Sequence, residues 1–312
     1  MKILAFSNFA LGCLASASLA ACGGSPSPIG APGTPWQIAQ LAGPASGQRG
    51  ALLYVSEPAT NRVSFYAYPA LTYKGELSRL RGASGLCSDP RTGDVWVISF
   101  TSGGYEFSEF AHGGTKPLLT LKTANPDLSA CSVNPNNGDL AVAQMSDFDD
   151  AGGLFVFSSG SSKPAYYQER NMYLYYFVGY DASGNAFVDG YNGGGQFQLD
   201  ELPSGGKKLI DVTPAGLKVG AAGGVQYDGK YMTVGDQTRG LIYRISDRKV
   251  VGKTALLQTC LVQQFAIVGS AVIAPNYCHH KGDVLIYRYP AGGSPTHEIS
   301  GLRSPFAATV SQ

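Results

Sequence analysis

The sequence predicts an all-β chain, a six-bladed β-propeller of four-stranded antiparallel blades closed by pairing the C-terminal strand with the first blade. Three observations carry that expectation. A glycine-centred turn recurs at nearly constant spacing, with Gly93, Gly138, Gly184, Gly229 and Gly269 lying 45, 46, 45 and 40 residues apart. A short aromatic strand opening on a small residue recurs in six copies. The first turn has only five internal copies, and the two ends of the chain supply the strands of the sixth. A unit of about 45 residues holding four short strands is the blade of a propeller.

Composition agrees. Hydrophobic residues make up 44% and charged residues 14%, with 41 Gly, 18 Tyr and 14 Phe. Few charges with many glycines and aromatics suit β-structure with tight turns, and argue against disorder.

The N-terminus is set aside first. Met1-Lys2 is positive, Ile3 to Leu19 is mostly apolar and small, and Leu19-Ala20-Ala21-Cys22 follows. A secretory leader has this layout, and the apolar run is short for a membrane span. The four residues resemble the lipobox of bacterial lipoprotein signal peptides. That resemblance implies cleavage before Cys22, lipidation of Cys22 and attachment to the membrane of a bacterial cell envelope. Gly23 stands where Asp signals inner-membrane retention in such proteins, which implies an outer-membrane or periplasm-facing location. Residues 1–21 are thus expected to be a signal peptide and 22–48 a lipidated cysteine with a Gly/Ser/Pro/Ala tether. Residues 49–312 are expected to form one domain.

Removing 1–21 takes away Lys2 and no acidic residue, leaving 22 basic and 22 acidic side chains. A neutral chain with no basic run has nothing to meet nucleic-acid phosphates, so that partner is excluded. Cys13 leaves with the leader, and Cys87, Cys131, Cys260 and Cys278 remain for an oxidising compartment. Counting outward from the turn at Gly269-Ser270 sets Cys260 nearly opposite Cys278, which predicts a disulfide. Cys87 and Cys131 precede corresponding turns of adjacent repeats and are candidates for a second.

The repeats then run in order. "DPRTGDVWV" at Asp89, "NPNNGDLAV" at Asn134 and "DASGNAFVD" at Asp181 share one plan, and "YDGKYMTVGD" at Tyr227 and "VGSAVIAPN" at Val268 are shortened versions. Read alone, the Asn/Asp cluster of "NPNNGDLAV" invites calcium. Read beside its copies it is a hairpin turn, because the glycine persists while the carboxylates and amides change. The aromatic strands begin at Asn61, Gly104, Gly153, Gly195, Gly240 and Gly282, and outer strands follow in "KPLLTLKT", "KKLIDVTP" and "VVGKTALL". "SPFAATVSQ" supplies an inner strand for "ALLYVSEP", which closes the ring. Seven blades with one misread is the competing count.

"YVSEPATNRVSFYAYP" and "DASGNAFVDGYNGGGQFQL" resemble NHL-repeat propellers, which carry an Asp-x-x-Gly-Asn turn and an Asn-Arg-Val strand. Such propellers serve binding and catalysis alike. The loops after the second strands offer Glu57, Ser99, Gln144, Asp189, Asp236 and Asn276 to one rim. Oxygen ligands converging on an axis are what calcium needs. Gluconolactonase- and paraoxonase-type propellers hold an axial metal through Glu, Asn and Asp, and that resemblance points to Glu57, Asp189, Asp236 and Asn276. The same residue types also end strands and begin turns for structural reasons. His279 and His280, next to Cys278, are alternative metal ligands, although a structural zinc needs a fourth ligand not evident nearby. "YYQERNMYLYYF" at Tyr166 offers a stacking surface or ordinary blade packing, and alternation places Tyr173 and Tyr175 on one strand face.

No nucleophile elbow, phosphate loop or HExxH motif is present in the sequence. The expected function is therefore a monomeric, lipid-anchored, non-catalytic binding or scaffold module. It would use no cofactor and would present a rim to an envelope protein, peptide or small ligand. The alternative is a calcium-dependent lactonase, esterase or lyase.

Overall fold

The computed structural model describes residues 50–312 apart from 103, 124–126, 148–149 and 279–280, with Asp147 and Lys281 described through their backbones. Among these residues there is no α-helix. Twenty-four strands form six four-stranded antiparallel sheets.

Blade 1 holds β1 (Leu52–Glu57), β2 (Arg62–Ala67) and β3 (Thr72–Leu77). Blade 2 holds β4 (Leu86–Ser88), β5 (Val95–Thr101), β6 (Gly104–Phe110) and β7 (Pro117–Thr123). Blade 3 holds β8 (Leu128–Val133), β9 (Leu140–Asp147), β10 (Asp150–Phe157) and β11 (Pro164–Tyr167). Blade 4 holds β12 (Met172–Tyr180), β13 (Ala186–Asn192), β14 (Phe197–Leu202) and β15 (Ile210–Asp211). Blade 5 holds β16 (Ala222–Tyr227), β17 (Met232–Asp236), β18 (Leu241–Ser246) and β19 (Lys249–Ala255). Blade 6 holds β20 (Ala266–Val268), β21 (Ala271–Cys278), β22 (Lys281–Arg288) and β23 (His297–Leu302). The last strand, β24 (Ala308–Ser311), returns to blade 1 and pairs with β1, Leu52 opposite Ser311 and Val55 opposite Ala308. The ring closes as the sequence predicts.

Each blade buries both faces, because alternate side chains of its strands point to opposite neighbours. Val95 and Val97 of β5 pack against Tyr54, Val63 and Phe65 of blade 1. Trp96 and Ile98, which alternate with them along the strand, pack against Leu140, Val142 and Phe155 of blade 3. Six apolar clusters result, one at each seam between neighbouring blades. Truncating a fully buried leucine such as Leu53 or Leu199 to alanine there costs about 2–5 kcal/mol.

All five predicted turn glycines join an inner strand to the second strand of its blade, with positive φ. Gly138 has φ +80°, a conformation that costs an L side chain about 1–2 kcal/mol. Asn134 completes this turn by accepting the Asn136 N–H on Oδ1 at 2.9 Å, and Asp89 accepts Arg91 N–H the same way at 2.8 Å. The polar cluster of "NPNNGDLAV" serves its own backbone. In blade 1 this turn is replaced by the two chain ends, so Gly50 and Gln312 emerge on the face that carries the other five.

That face, here the turn face, also carries the hairpins between third and fourth strands. The opposite face carries the connections between second and third strands and the links from each outer strand to the next inner strand. It is called the loop face below.

Candidate functional site

Of the six second-strand residues singled out by the sequence, five lie in the loop-face half of their strands and Asp189 lies at the midpoint of β13. All are buried, with exposures of 0% for Glu57, Ser99 and Asp189, 1% for Gln144 and 2% for Asp236 and Asn276. What each one binds decides what the set can do.

Glu57 accepts Arg303 N–H on Oε1 at 2.8 Å and the Arg62 guanidinium on Oε2 at 2.8 Å. Asp236 accepts Gly220 N–H on Oδ2 at 2.7 Å, and its Oδ1 takes Arg239 N–H and the Thr238 hydroxyl, each at 3.2 Å. Asn276 accepts Cys260 N–H on Oδ1 at 2.8 Å and donates to Asp283 at 2.9 Å. Asp189 accepts Phe177 N–H on Oδ1 at 2.9 Å. In these four blades an oxygen on the second strand takes an N–H from the segment leading into, or bulging out of, its own inner strand. Only an acceptor is needed, so Glu, Asp and Asn serve equally. Ser99 instead donates to Glu106 at 3.3 Å, and Gln144 bridges the Tyr166 hydroxyl and Ser146 O.

A calcium ion needs carboxylate and carbonyl oxygens that are free to turn toward it. Of the four residues suggested for an axial metal, Glu57 and Asp236 have both oxygens engaged and Asn276 has its only oxygen engaged. Asp189 keeps one free oxygen, Oδ2, which is buried without a partner among the described residues. Among the described residues, no three His, Cys, Asp or Glu side chains form a group suited to a metal. The donor set as arranged does not fit an axial ion. Complete burial pushes the Asp189 carboxyl well above the usual range, against the opposing pull of Phe177 N–H. His279, His280 and Cys22 lie outside the described residues.

The axis holds features that sequence reasoning missed. Phe306 packs against the cluster between blades 1 and 2 and also against the cluster between blades 4 and 5. Those seams face each other across a six-membered ring, so the Phe306 ring lies across the channel. Tyr176 packs on the second of these clusters and meets Tyr191 edge-on at 5.7 Å. Around the aromatics, inner strands are joined by side chains that imitate a β-ladder. The Gln226 amide exchanges two hydrogen bonds with Ile267, at 3.1 and 2.7 Å. Gln264 pairs through its backbone with Phe306 and Ala308, while its side-chain amide donates to Leu86 O at 2.6 Å and faces Leu86 N–H at 3.4 Å. One residue thus ties blades 6, 1 and 2 together. No local pattern marks either glutamine, because each acts on residues 41 or more positions away.

Both predicted disulfides are present. Cys87–Cys131 joins the inner strands of blades 2 and 3 with Cα atoms 5.6 Å apart. Cys260–Cys278 ties the connection into blade 6 to the end of β21 at 5.3 Å.

The aromatic stretch at Tyr166 spans the outer strand of blade 3 and the inner strand of blade 4. Tyr173 and Tyr175 do not share a face. Tyr173 is 39% exposed and Tyr175 is 0% exposed. β12 carries irregularities between Met172 and Leu174 and between Tyr175 and Val178, and each breaks the alternation. Asp189 compensates the second one, since its carboxylate takes the Phe177 N–H that the ladder cannot.

Between blades 3 and 4 lies a second buried carboxylate. Gln198 Nε2 donates to Asp200 Oδ1 at 2.9 Å and to Glu169 Oε2 at 3.3 Å. Asp200 is 0% exposed and its Oδ2 has no partner among the described residues. Burial first, and then the nearby Glu169 and Asp211 charges, push the Asp200 carboxyl up to about 7.

No protein-family profile and no curated protein sequence matches this chain. Solved structures do. A chain of a nidogen/laminin complex superposes with a TM-score of 0.69 at 10% identity, covering 84% of this chain and 99% of that one. A protein of unknown function from Bacteroides caccae superposes with a TM-score of 0.64 at 11% identity, covering 85% and 100%. These similarities establish the class: the chain is a six-bladed β-propeller. At such identities they speak for the fold alone.

Proposed function

We propose that this propeller is a non-catalytic binding or scaffold module of a bacterial cell envelope. In this reading it is anchored through lipid on Cys22, acts as a monomer without a cofactor, and presents its loop face to an envelope protein, peptide or small ligand. The observation that carries the reading is the placement of the chain ends. Gly50, where the tether joins, lies on the turn face, within 3.2 Å of His112 in the hairpin after β6. An anchor on that side leaves the opposite face open. The engagement of Glu57, Asp236 and Asn276 in backbone hydrogen bonds supports binding over metal-assisted chemistry at the axis. The NHL-like motifs of blades 1 and 4 belong to the same reading.

Two measurements test it. Metabolic labelling with a fatty-acid analogue should mark the chain and fail on Cys22→Ser; an unlabelled wild type overturns the anchor. Photo-crosslinkers at Phe100 and Tyr173, both exposed toward the loop face, should capture a partner that a crosslinker at Lys163 on the turn face does not. The calcium-dependent lactonase or lyase alternative predicts one calcium ion per chain, lost on Asp189→Asn; that titration result would overturn the binding-only reading.

A further inference from the structure

Ten large apolar side chains are exposed among the described residues, and seven of them occupy the first three positions of an outermost strand. Six of the seven lie at the turn-face end of their strands, while Tyr166 sends its hydroxyl toward Gln144 in the loop-face half of β9. Outer strands are partly exposed in any propeller, which accounts for some of this. It does not account for what precedes them.

Four consecutive blades repeat one motif where the third-to-fourth hairpin runs into the outer strand: "KPLL" at Lys116, "KPAY" at Lys163, "KKLI" at Lys207 and "RKVV" at Arg248. In each, one or two exposed cations lead within three residues to an exposed apolar side chain. Leu118 is 61% exposed, Tyr166 43%, Ile210 47% and Val251 49%. The repeat thus makes a belt along the perimeter of blades 2 to 5. Acidic groups border it: Glu109 stands opposite Leu119, Glu201 stands opposite Ile210 and interacts with Arg248, Asp247 precedes Arg248, and the Asp211 backbone carbonyl takes the Arg248 guanidinium. A groove of about 450 Å³ opens between blades 4 and 5, where the basic hairpin at Arg248 and Lys249 meets the link from β15 to β16. It is lined by Lys218, Arg248 and Lys249 with Leu217, Tyr243 and Val250, and by no acidic side chain. Nearer the axis the turn face is acidic. There Asp89 is paired to Arg91 at 2.8 Å, Asp181 caps its own turn and Asp228 accepts the Tyr289 hydroxyl.

We infer that the basic and apolar rim of blades 2 to 5 docks onto an anionic lipid surface, with the groove between blades 4 and 5 receiving a lipid phosphate. Cations beside apolar side chains are the composition that seats a protein at a bilayer interface, the cations meeting headgroups and the apolar groups the acyl boundary. The position of the chain end points to the same occupant. The described chain begins at Gly50 on the turn face, and a flexible tether of the length from Cys22 to Arg49 would span about 30 Å on average, too long to orient the domain by itself. The rim supplies the orientation. This inference takes the membrane from the proposed lipid anchor, but the rim can be tested without it.

The unlipidated chain from Gly23 onward keeps the whole closed ring and is the sample to use. Co-sedimentation with phosphatidylglycerol/phosphatidylcholine vesicles should show binding that pure phosphatidylcholine does not. Binding should fall as salt rises. Replacing a single rim cation, as in Lys163→Ala, should weaken it about fivefold, and Lys207→Glu with Lys208→Glu and Lys249→Glu should abolish it. Leu118→Ser with Val251→Ser should weaken it while leaving the salt dependence in place. Arg79→Glu and Arg81→Glu on the loop face should leave it unchanged. Thermal melts confirm that each variant is folded. Equal binding to neutral vesicles, no binding at all, an equal loss from the loop-face variants, or equally tight binding to a soluble polyanion would each overturn the inference. Failure of fatty-acid labelling at Cys22 would remove the anchor and leave this result standing.

Discussion

Asp200→Asn should remove a loss of stability with rising pH whose size can be worked from its surroundings. Asp200 is fully buried on β14, one oxygen on Gln198 and the other without a donor among the described residues. The charged groups facing it are Glu169, from the connection into β12, and Asp211 on β15. Its carboxyl is pushed up to about 7 from an ordinary 3.8. Between those values the folded chain holds a proton that the unfolded chain releases. Stability from this residue is therefore fully present below about pH 4, falls as pH rises, and is lost above about pH 7. The difference corresponds to about 4 kcal/mol across the window. Asparagine keeps the shape and the acceptor while removing the charge. Urea unfolding of wild type and Asp200→Asn at intervals from pH 4.5 to 8 gives the difference directly. The variant should match or trail wild type at low pH and exceed it by a few kcal/mol at pH 8. A constant difference across the range would refute the reasoning, because it would mean that the buried carboxylate is ionised throughout or solvated.

Three further outcomes follow from the ring. Replacing Cys87 and Cys131 with alanine should cost about 4 kcal/mol by loop-closure entropy for a separation of 44 residues, against about 3 for Cys260 and Cys278 at a separation of 18. Denaturant melts of the two double variants rank them. Gln264→Ala removes the amide from both backbone groups of Leu86 and should cost about 2–4 kcal/mol, read as a lower urea midpoint with unchanged slope. Gly93→Ala forces a side chain at φ +78° to within 2.3 Å of Gln312 O, and should loosen the blade 1 closure, seen as faster amide exchange in β24.

The blades could be counted in the sequence because their turns are local. A positive-φ glycine with an Asn or Asp capping its own loop is specified within five residues, so "DPRTGDVWV" and "NPNNGDLAV" show the same structure in the same letters. The Cys260–Cys278 bridge was legible for a similar reason, since hairpin counting fixes which positions face each other. What joins one blade to the next was not. Gln226 and Gln264 act on partners brought near only by ring closure, and Phe306 crosses the channel from a connection that reads as an ordinary Ser-Pro-Phe loop. Tyr173 and Tyr175 were misplaced because alternation assumes a regular strand, and β12 is irregular between Met172 and Leu174, where Tyr173 sits. Counting strands also lines up Glu57, Gln144, Asp189, Asp236 and Asn276 as corresponding positions of the second strands. Their hydrogen bonds, invisible in sequence, then distinguish clasps for the inner strands from a ring of ligands.

The pairing of β1 with β24 sets an order of events in the life of the chain. The first strand made must wait for the last, some 250 positions behind it, before blade 1 is complete. Until Ala308–Ser311 is available, β1 lacks its inner partner and the outward-facing sides of blades 1 and 6 lack each other. For a chain exported as proposed above, that delay is useful: it would cross the membrane as an open string, and the ring would lock only when its final residues arrive on the far side. The four residues of β24 are in this sense a timer, and a premature stop a few codons early would release a protein with nearly all of its sequence and no closed ring.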